Sequence, residues 1–327
     1  MSNRWRLAVG VLISAVFLFW ALNGLHLDTF WDALQTANYG WLLPGIVVYF
    51  VAVWARTWRW HYMLRPLKVI PLRELFPVVC IGYAGNNIYP ARLGEVLRAY
   101  ILKREASIPI SANLATVVVE RIFDGLVMLA FVVFALPFTQ LGDRYNTFVL
   151  LFSGLFLGAL IVFLLLAARP AWAEWVVGRV LRWLVPQRFH QRTSELVSRF
   201  LEGLASLRSG RDVLMIFFTS VLIWLLETLK YWFVMHAFPF EVSFVVLMLM
   251  NGIVNLMTSL PAAPGYIGTF ESGIKVLENF GVPQALAASY TLVLHAALWL
   301  PITLLGLYYL WRSHLSVKEA QAELAGS

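Results

Sequence analysis

The stretch NNIYPARLGEVLRAY, Asn86 to Tyr100, places Arg92, Glu95 and Arg98 directly behind an apolar run, Leu75 to Tyr89. That run is shorter than the ~20 apolar residues a helix needs to cross a bilayer. The three charges belong either to a full crossing that ends outside or to a hairpin that turns back. The rest of the chain decides between the two.

Of the 327 residues, 60% are hydrophobic and 13% charged, against ~25% charged in soluble domains. The mean hydropathy is +0.74. Several runs reach spanning length, which defines an all-α polytopic membrane protein. The formal net charge of +7 marks cytoplasmic loops in such a chain. No solvated segment combines basic and aromatic residues, so nucleic-acid binding is rejected. The single cysteine, Cys80, excludes an intramolecular disulfide.

Arg4 and Arg6 precede a long apolar run with no small-residue cleavage site after it, which predicts an uncleaved first helix over residues 7–25. HLDTFWDALQTANYG, with Leu27, Phe30, Trp31 and Leu34 at helical spacing, predicts a short interfacial helix. A second span, 41–60, exits into Arg56, Arg59, His61, Arg65, Lys68 and Arg73. Further spans are read at 118–138, 148–168, 213–238 and 286–311. The arginine-rich connection between Ala168 and Val213 carries Trp172, Trp175, Val176, Val180, Trp183 and Leu184 on one helical face. That pattern predicts an amphipathic helix on an anionic surface.

The positive-inside rule puts Arg4 and Arg6, the basic cluster ending at Arg73, the connection from Arg169 to Arg211, and Arg312 with Lys318 on the cytoplasmic side. Spans 118–138 and 148–168 already leave and return between Arg73 and Arg169. Residues 75–105 must then make no net crossing. A re-entrant hairpin broken at Pro90 to Gly94 satisfies this. The same count gives residues 243–279 no net crossing either, with an apolar arm, a break at PAAPGYIG, and a polar arm carrying Glu271 and Lys275. The expected fold is six full spans plus two re-entrant broken hairpins, with both termini cytoplasmic.

The two halves correspond. Arg56 and Arg59, then Pro90-x-x-x-Gly94, then Glu120 follow at nearly the spacing of Glu227 and Lys230, Pro264-x-x-x-Gly268 and His295. A single membrane domain, 1–327, is expected. It divides into an N-terminal helix and interfacial helix (1–40), a first repeat (41–140) and a linking helix with a cytoplasmic amphipathic segment (141–212). An inverted second repeat (213–311) and a tail (312–327) complete it. Oppositely oriented units with broken helices are a common transporter design. Non-helical backbone is tolerated at membrane depth only inside protein or beside a water-filled cavity.

The charges admit two readings each. Arg92, Glu95 and Arg98 form either a solvated ion-pair strip or a phosphate-binding cluster at the start of a half-helix, where helix N-termini attract anions and arginine grips phosphate bidentately. Asn86 and Asn87 cap exposed backbone or donate to a head group. Glu120, Arg121 and Asp124 sit at the cytoplasmic entry of a helix. They are solvated there, or face the bundle, where Glu120 pairs with an arginine of the hairpin or a carboxylate carries a coupling proton. Glu227 and Lys230 lie inside an apolar span as a structural pair or a functional one. Glu271 and Lys275 have the favourable order for a helical pair. His236 and His295 lack metal-ligand spacing.

NNIYPARLGEVLRAYIL, VVVERIFDGL and SLPAAPGYIGTFE resemble the signatures of the lysylphosphatidylglycerol synthetase transmembrane, flippase-like family, over roughly Trp41 to Trp311. By motif, the resemblance singles out Asn87, Arg92, Glu95, Arg98, Glu120, Arg121, Asp124, Pro264, Gly268 and Glu271. Two-domain members join this region to a soluble aminoacyl transferase. The chain ends at Ser327 without one, so the resemblance implies the translocating part alone. Stand-alone members are similar to proteins linked to lipid or polyprenyl-carrier handling.

The expected function is a flippase of the bacterial cytoplasmic membrane, moving an anionic or phosphate-bearing lipid (a phospholipid or a polyprenyl-phosphate carrier). No enzymatic activity, cofactor or metal is expected. Asn86, Asn87, Arg92, Glu95, Arg98, Arg121, Glu271 and Lys275 would bind substrate. Glu120, Asp124, Glu227 and Lys230, with the breaks Pro90, Gly94, Pro264 and Gly268, would couple or gate. No G-x-x-x-x-G-K-[S/T] is present, so a gradient or passive scrambling drives movement. The alternatives are a lipid-modifying transferase, for which no Asp-x-Asp is present, and a scaffold docking a lipid-synthesis enzyme through Arg169 to Arg211. Oligomeric state is not specified.

Overall fold

The computed structural model describes residues 27–89, 93–139, 142–184, 190–259 and 269–313. The expected first helix, together with Pro90, Arg92, Pro264 and Gly268, lies outside them. Among the described residues the chain is α-helical, with no strand. The helices are α1 (Leu27–Thr36), α2 (Leu42–Leu64), α3 (Leu72–Ile88), α4 (Leu93–Ala106), α5 (Ile110–Ala135), α6 (Gly142–Ala168), α7 (Pro170–Leu184), α8 (His190–Gly203), α9 (Gly210–Met235), α10 (Phe244–Ser259), α11 (Thr269–Asn279) and α12 (Gln284–Arg312).

Four described helical segments are long and apolar enough to cross a membrane: Tyr39–Leu64, Thr147–Ala168, Gly210–Met235 and Gln284–Arg312. With its 26 residues α5 also exceeds the hydrocarbon thickness, at ~1.5 Å per residue against ~30 Å, but it carries Glu120, Arg121 and Asp124. The paired arms are shorter. α3 and α4 have 17 and 14 residues, α10 and α11 have 16 and 11, all below the ~20 of a full crossing.

Three expectations need correction. The helix expected from Val118 begins at Ile110, so Glu120 and Asp124 lie well inside it and not at its entry. The second span runs on to Leu64, so Arg56 and Arg59 are interior residues. Apolar Trp60, Met63 and Leu64, all fully buried, carry the helix past them. The connection after Ala168 holds two helices, α7 and α8, where one was expected. In α1, Phe30 and Ala33 are buried while Leu27 and Trp31 stay exposed, so only part of the predicted stripe faces protein.

The chain forms two compact units, and α2, α5, α6, α9 and α12 each contribute residues to both. Unit 1 draws on residues up to Phe50, on Met128–Val149 and on Leu225–Leu300. Its core holds Tyr290 and Leu249, with Phe238 and Phe240 edge-on to the Tyr290 ring at 6.0 and 5.3 Å. α1 is tied in by the Ser289 hydroxyl, which donates to the Phe30 carbonyl at 3.1 Å. Its helical pair, α10 and α11, closes on Gly273, where a methyl group would stand 2.9 Å from Met250 Cε.

Unit 2 comprises Val51–Val127, Leu150–Trp224 and the chain from Pro301. α3 ends where Tyr89 turns extended (φ −103°, ψ 143°), the conformation a residue before proline is pushed into. The two arms then touch backbone to backbone. A Cβ on Gly94 would lie 1.8 Å from the Gly82 carbonyl oxygen, and one on Gly85 2.7 Å from Gly94 Cα. α4 closes at Ser107, in the left-handed region at φ 59°, with Ile108 N–H returning to the Leu102 carbonyl at 3.2 Å. α6 touches this unit at Gly125, where a methyl would fall 2.0 Å from Phe156 Cε1. Leu150, Leu151, Ile161 and Leu165 of α6 are all exposed.

Candidate functional site

The densest buried charge lies in unit 2. Arg59, on α2, has no solvent exposure. Its Nη1 donates to Asp124 Oδ1 at 2.5 Å and to the Ser220 hydroxyl at 2.7 Å. Its Nη2 donates to Glu120 Oε1 at 2.8 Å and to Asp124 Oδ2 at 3.2 Å. The i, i+4 spacing of Glu120 and Asp124 puts both carboxylates on one face of α5, so one guanidinium fork spans them. The Trp224 indole N–H gives Asp124 Oδ1 a further bond at 2.9 Å.

The hairpin joins this cluster through α4. Arg98, 5% exposed, donates to Glu120 Oε2 at 3.2 Å and lies 3.9 Å from the Trp60 ring centroid. Trp60 is itself held by Thr116, through its indole N–H at 3.1 Å. Glu95, one turn before Arg98, pairs with Arg121 at 3.0 Å. Arg56 stands 4.0 Å from Asp124 and 5.0 Å from the Trp224 ring. Glycine at position 82 makes room for the Arg98 stem, since a methyl there would meet Arg98 Cδ at 2.4 Å.

Buried carboxylates and guanidiniums must be matched, because an unpaired charge in an apolar interior is costly. Arg59 makes four bonds to three residues and serves as the hub. Arg59, Arg98 and Arg121 alike keep Nε groups that are buried and meet no acceptor among the described residues. These are spare donors of the planar kind that fits a phosphate. The Asn86 side-chain oxygen is likewise buried without a partner among the described residues, whereas Asn87 donates to the Thr303 hydroxyl at 2.8 Å.

The cluster thus gathers Glu95, Arg98, Glu120, Arg121 and Asp124 of the sequence-predicted residues. The pairing of Glu120 with a hairpin arginine is present, and the strip reading of Arg98 as solvated is not. Gly94 is the contact that lets the arms close. Glu227 and Lys230 pair with each other in unit 1. Lys275 is exposed and makes no ion pair among the described residues. Arg92, Pro90, Pro264 and Gly268 are outside the described residues, and Glu271 is placed only as part of α11. Sequence reasoning missed Arg59 and Arg56 as site residues. The signal was the apolar WHYML after Arg59, which shows the helix continuing past both arginines. No group of three or more His, Cys, Asp or Glu among the described residues is placed to hold a metal ion.

Comparison with known proteins gives a consistent match. The profile of the lysylphosphatidylglycerol synthase TM region matches residues 7–306. A UPF0104 membrane protein of Methanothermobacter thermautotrophicus is 26% identical over 80% of this chain and 82% of its own. A UPF0104 membrane protein of Methanocaldococcus jannaschii is 24% identical over 90% and 91%. Glycosyltransferase AglD of Haloferax volcanii is 24% identical over 88% of this chain but 51% of its own. No solved structure matches.

Proposed function

Because the chain belongs to the lysylphosphatidylglycerol synthase TM-region family, we propose that this integral membrane protein moves a phosphate-bearing lipid between the leaflets of the cytoplasmic membrane. The observation that carries the reading is the buried guanidinium of Arg98, stacked on Trp60, with its Nε unspent beside the broken hairpin. An ionisable group inside a membrane protein is a functional candidate by default. Arg59 holds Glu120 and Asp124 in place, and Arg98 and Arg121 present donors to the phosphate. The arms α3 and α4 turn back within the bilayer, as their length supports, and α10 and α11 do the same. Basic Arg65, Lys68 and Arg73, all exposed, mark the cytoplasmic side by the positive-inside rule. Movement proceeds by rocking of the broken hairpins, and the protein makes or breaks no covalent bond of its own.

Reconstitution tests this. Vesicles containing the protein and fluorescent lipids of defined head group should lose inner-leaflet protection from a membrane-impermeant quencher. The loss should be faster for phosphate-bearing than for neutral lipids. Absence of exchange for every phospholipid and for a prenyl phosphate would end the proposal.

The relative named as a glycosyltransferase favours a second reading, in which the chain serves a sugar-transfer enzyme acting on a lipid carrier. Its match spans half of that protein, so the name attaches to a longer chain. Co-purification of a transferase, with no lipid exchange by the isolated chain, would favour this reading.

A further inference from the structure

The seam between α3 and α4 carries two buried polar atoms that meet no partner among the described residues. One is the Arg98 Nε–H, a donor, and the other is the Asn86 side-chain oxygen, an acceptor. Both lie at the place where the arms touch. The Arg98 stem passes Gly82 of α3, where an added methyl would stand 2.5 Å from Cγ and 2.4 Å from Cδ. Nε is the next atom along that stem. From the other side, an added methyl on Gly94 of α4 would stand 2.7 Å from Asn86 Oδ1. Asn86 follows Gly82 by four residues, and Arg98 follows Gly94 by four. Four residues make about one turn, or ~6 Å of helix. The donor and the acceptor therefore lie roughly one turn apart along a single strip.

The residues that bring the arms together here are Gly82, Gly85, Gly94 and Leu97. None of them has a polar side-chain atom to offer. A buried donor or acceptor left unmade is costly, so an occupant that answers both atoms is favoured. It must bring an acceptor to Arg98 and, about one turn away, a donor to Asn86. A phosphodiester whose head group carries an O–H or N–H has that pattern, with a charged oxygen and a donor joined by a short carbon link. A choline or methyl ester brings the phosphate and no donor. Asn86 as a residue is only partly buried, so this end of the seam is open to a head group.

We propose that Asn86 reads the head group: with the lipid phosphate on Arg98, its side-chain oxygen accepts from a head-group O–H or N–H. The inference rests on the phosphate-lipid transport reading above. It makes Asn86 an acceptor, where the sequence suggested a donor. A site built to bond a hydroxyl or amine discriminates against the analogue that lacks it, because the protein atom stripped of water then stays unpaired.

The test uses the full chain in phosphatidylcholine vesicles with fluorescent probe lipids matched in charge. Phosphatidylglycerol is compared with phosphatidylmethanol, both anionic, and phosphatidylethanolamine with phosphatidylcholine, both zwitterionic. In each pair the first lipid carries a head-group donor and the second carries none. Wild type should exchange the donor-bearing lipid about five- to tenfold faster. Asn86→Leu, close in shape but without an acceptor, should bring both ratios to about one. Asn86→Asp keeps an acceptor and should keep both preferences, with the larger gain for the ethanolamine ammonium. Ratios within one variant cancel any general loss of active protein. A readout independent of movement is the mass spectrum of the protein–lipid complex released from detergent. Wild type should retain phosphatidylglycerol over phosphatidylmethanol, and Asn86→Leu should retain them equally.

Exchange with both ratios near one in wild type, or ratios unchanged in Asn86→Leu, overturns the inference and leaves the transport reading standing. Exchange of no lipid, with the retention preference present in wild type and lost in Asn86→Leu, ends the transport reading and keeps the head-group site. If Asn86→Leu does not fold, loss of both preferences in Asn86→Asp overturns the inference in its place.

Discussion

Arg98, on the second arm of the first hairpin, donates to Glu120 of the following helix at 3.2 Å, with both side chains out of solvent. That bond ties a broken segment to a continuous one, and its replacement separates binding from folding. Arg98→Lys keeps a positive charge but loses the planar fork and its stacking on Trp60. Lipid exchange should fall at least tenfold in Arg98→Lys, with membrane insertion and monodisperse purification retained. Exchange at the wild-type rate in Arg98→Lys and Arg98→Ala would remove Arg98 from the lipid pathway.

Arg59 acts differently, because it is the hub. Arg59→Met leaves two buried carboxylates facing each other without their common partner. Losing one side of a buried ionic contact costs about 3–5 kcal/mol, so thermal unfolding in detergent should shift sharply downward. Adding Glu120→Gln and Asp124→Asn to Arg59→Met should recover part of that loss. A single Arg59→Met variant as stable as wild type would show that the network is ornamental to folding.

The glycines of the hairpin give a paired comparison. Gly94→Ala would drive a methyl into the Gly82 carbonyl, whereas Gly154 and Gly158 on α6 have nothing within 4 Å of an added Cβ. Overpacking of this kind costs about 1–3 kcal/mol, and Gly94→Ala should lower the unfolding midpoint and separate the arms. Gly154→Ala and Gly158→Ala should match wild type or exceed it slightly. A cysteine pair across α3 and α4, read by cross-linking yield, reports the separation directly.

Ser107 closes α4 in the left-handed region at φ 59°, a conformation in which glycine avoids the steric cost of a Cβ. Ser107→Gly should stabilise the protein by up to about 1 kcal/mol, seen as a raised unfolding midpoint at unchanged exchange activity. A drop would mean that the serine side chain has a role of its own.

Much of this was legible in the chain and some was not, for identifiable reasons. The end of α3 was legible because Pro90 forces the residue before it out of helix, and Tyr89 is extended as required. The pairing of a hairpin arginine with Glu120 was legible from the i, i+4 carboxylates. The start of α5 was misread because Ser111, Asn113 and Thr116 look like a polar loop. In the fold Asn113 and Thr116 are fully buried, and Thr116 caps Trp60. Arg56 and Arg59 were misread because positive charge near the end of an apolar run normally marks a membrane exit. Their acid partners lie sixty residues and more downstream, a separation that no local pattern encodes. Gly82 and Gly85 drew no notice for the same reason, since a glycine announces a close approach only once its neighbour is known.

Helix α6 has a consequence for how the protein meets its surroundings. Gly125 against Phe156 is a close seat for this helix in unit 2, and most of its leucines face outward. A long apolar rod held by so little of its own chain takes its tilt from the thickness of the hydrocarbon layer around it. Bilayers of short-chain lipid should lean it over and unseat the Phe156 ring, while the arginine–carboxylate core stays intact. The host membrane, as much as the polypeptide, thereby sets the pose of one of the molecule's walls.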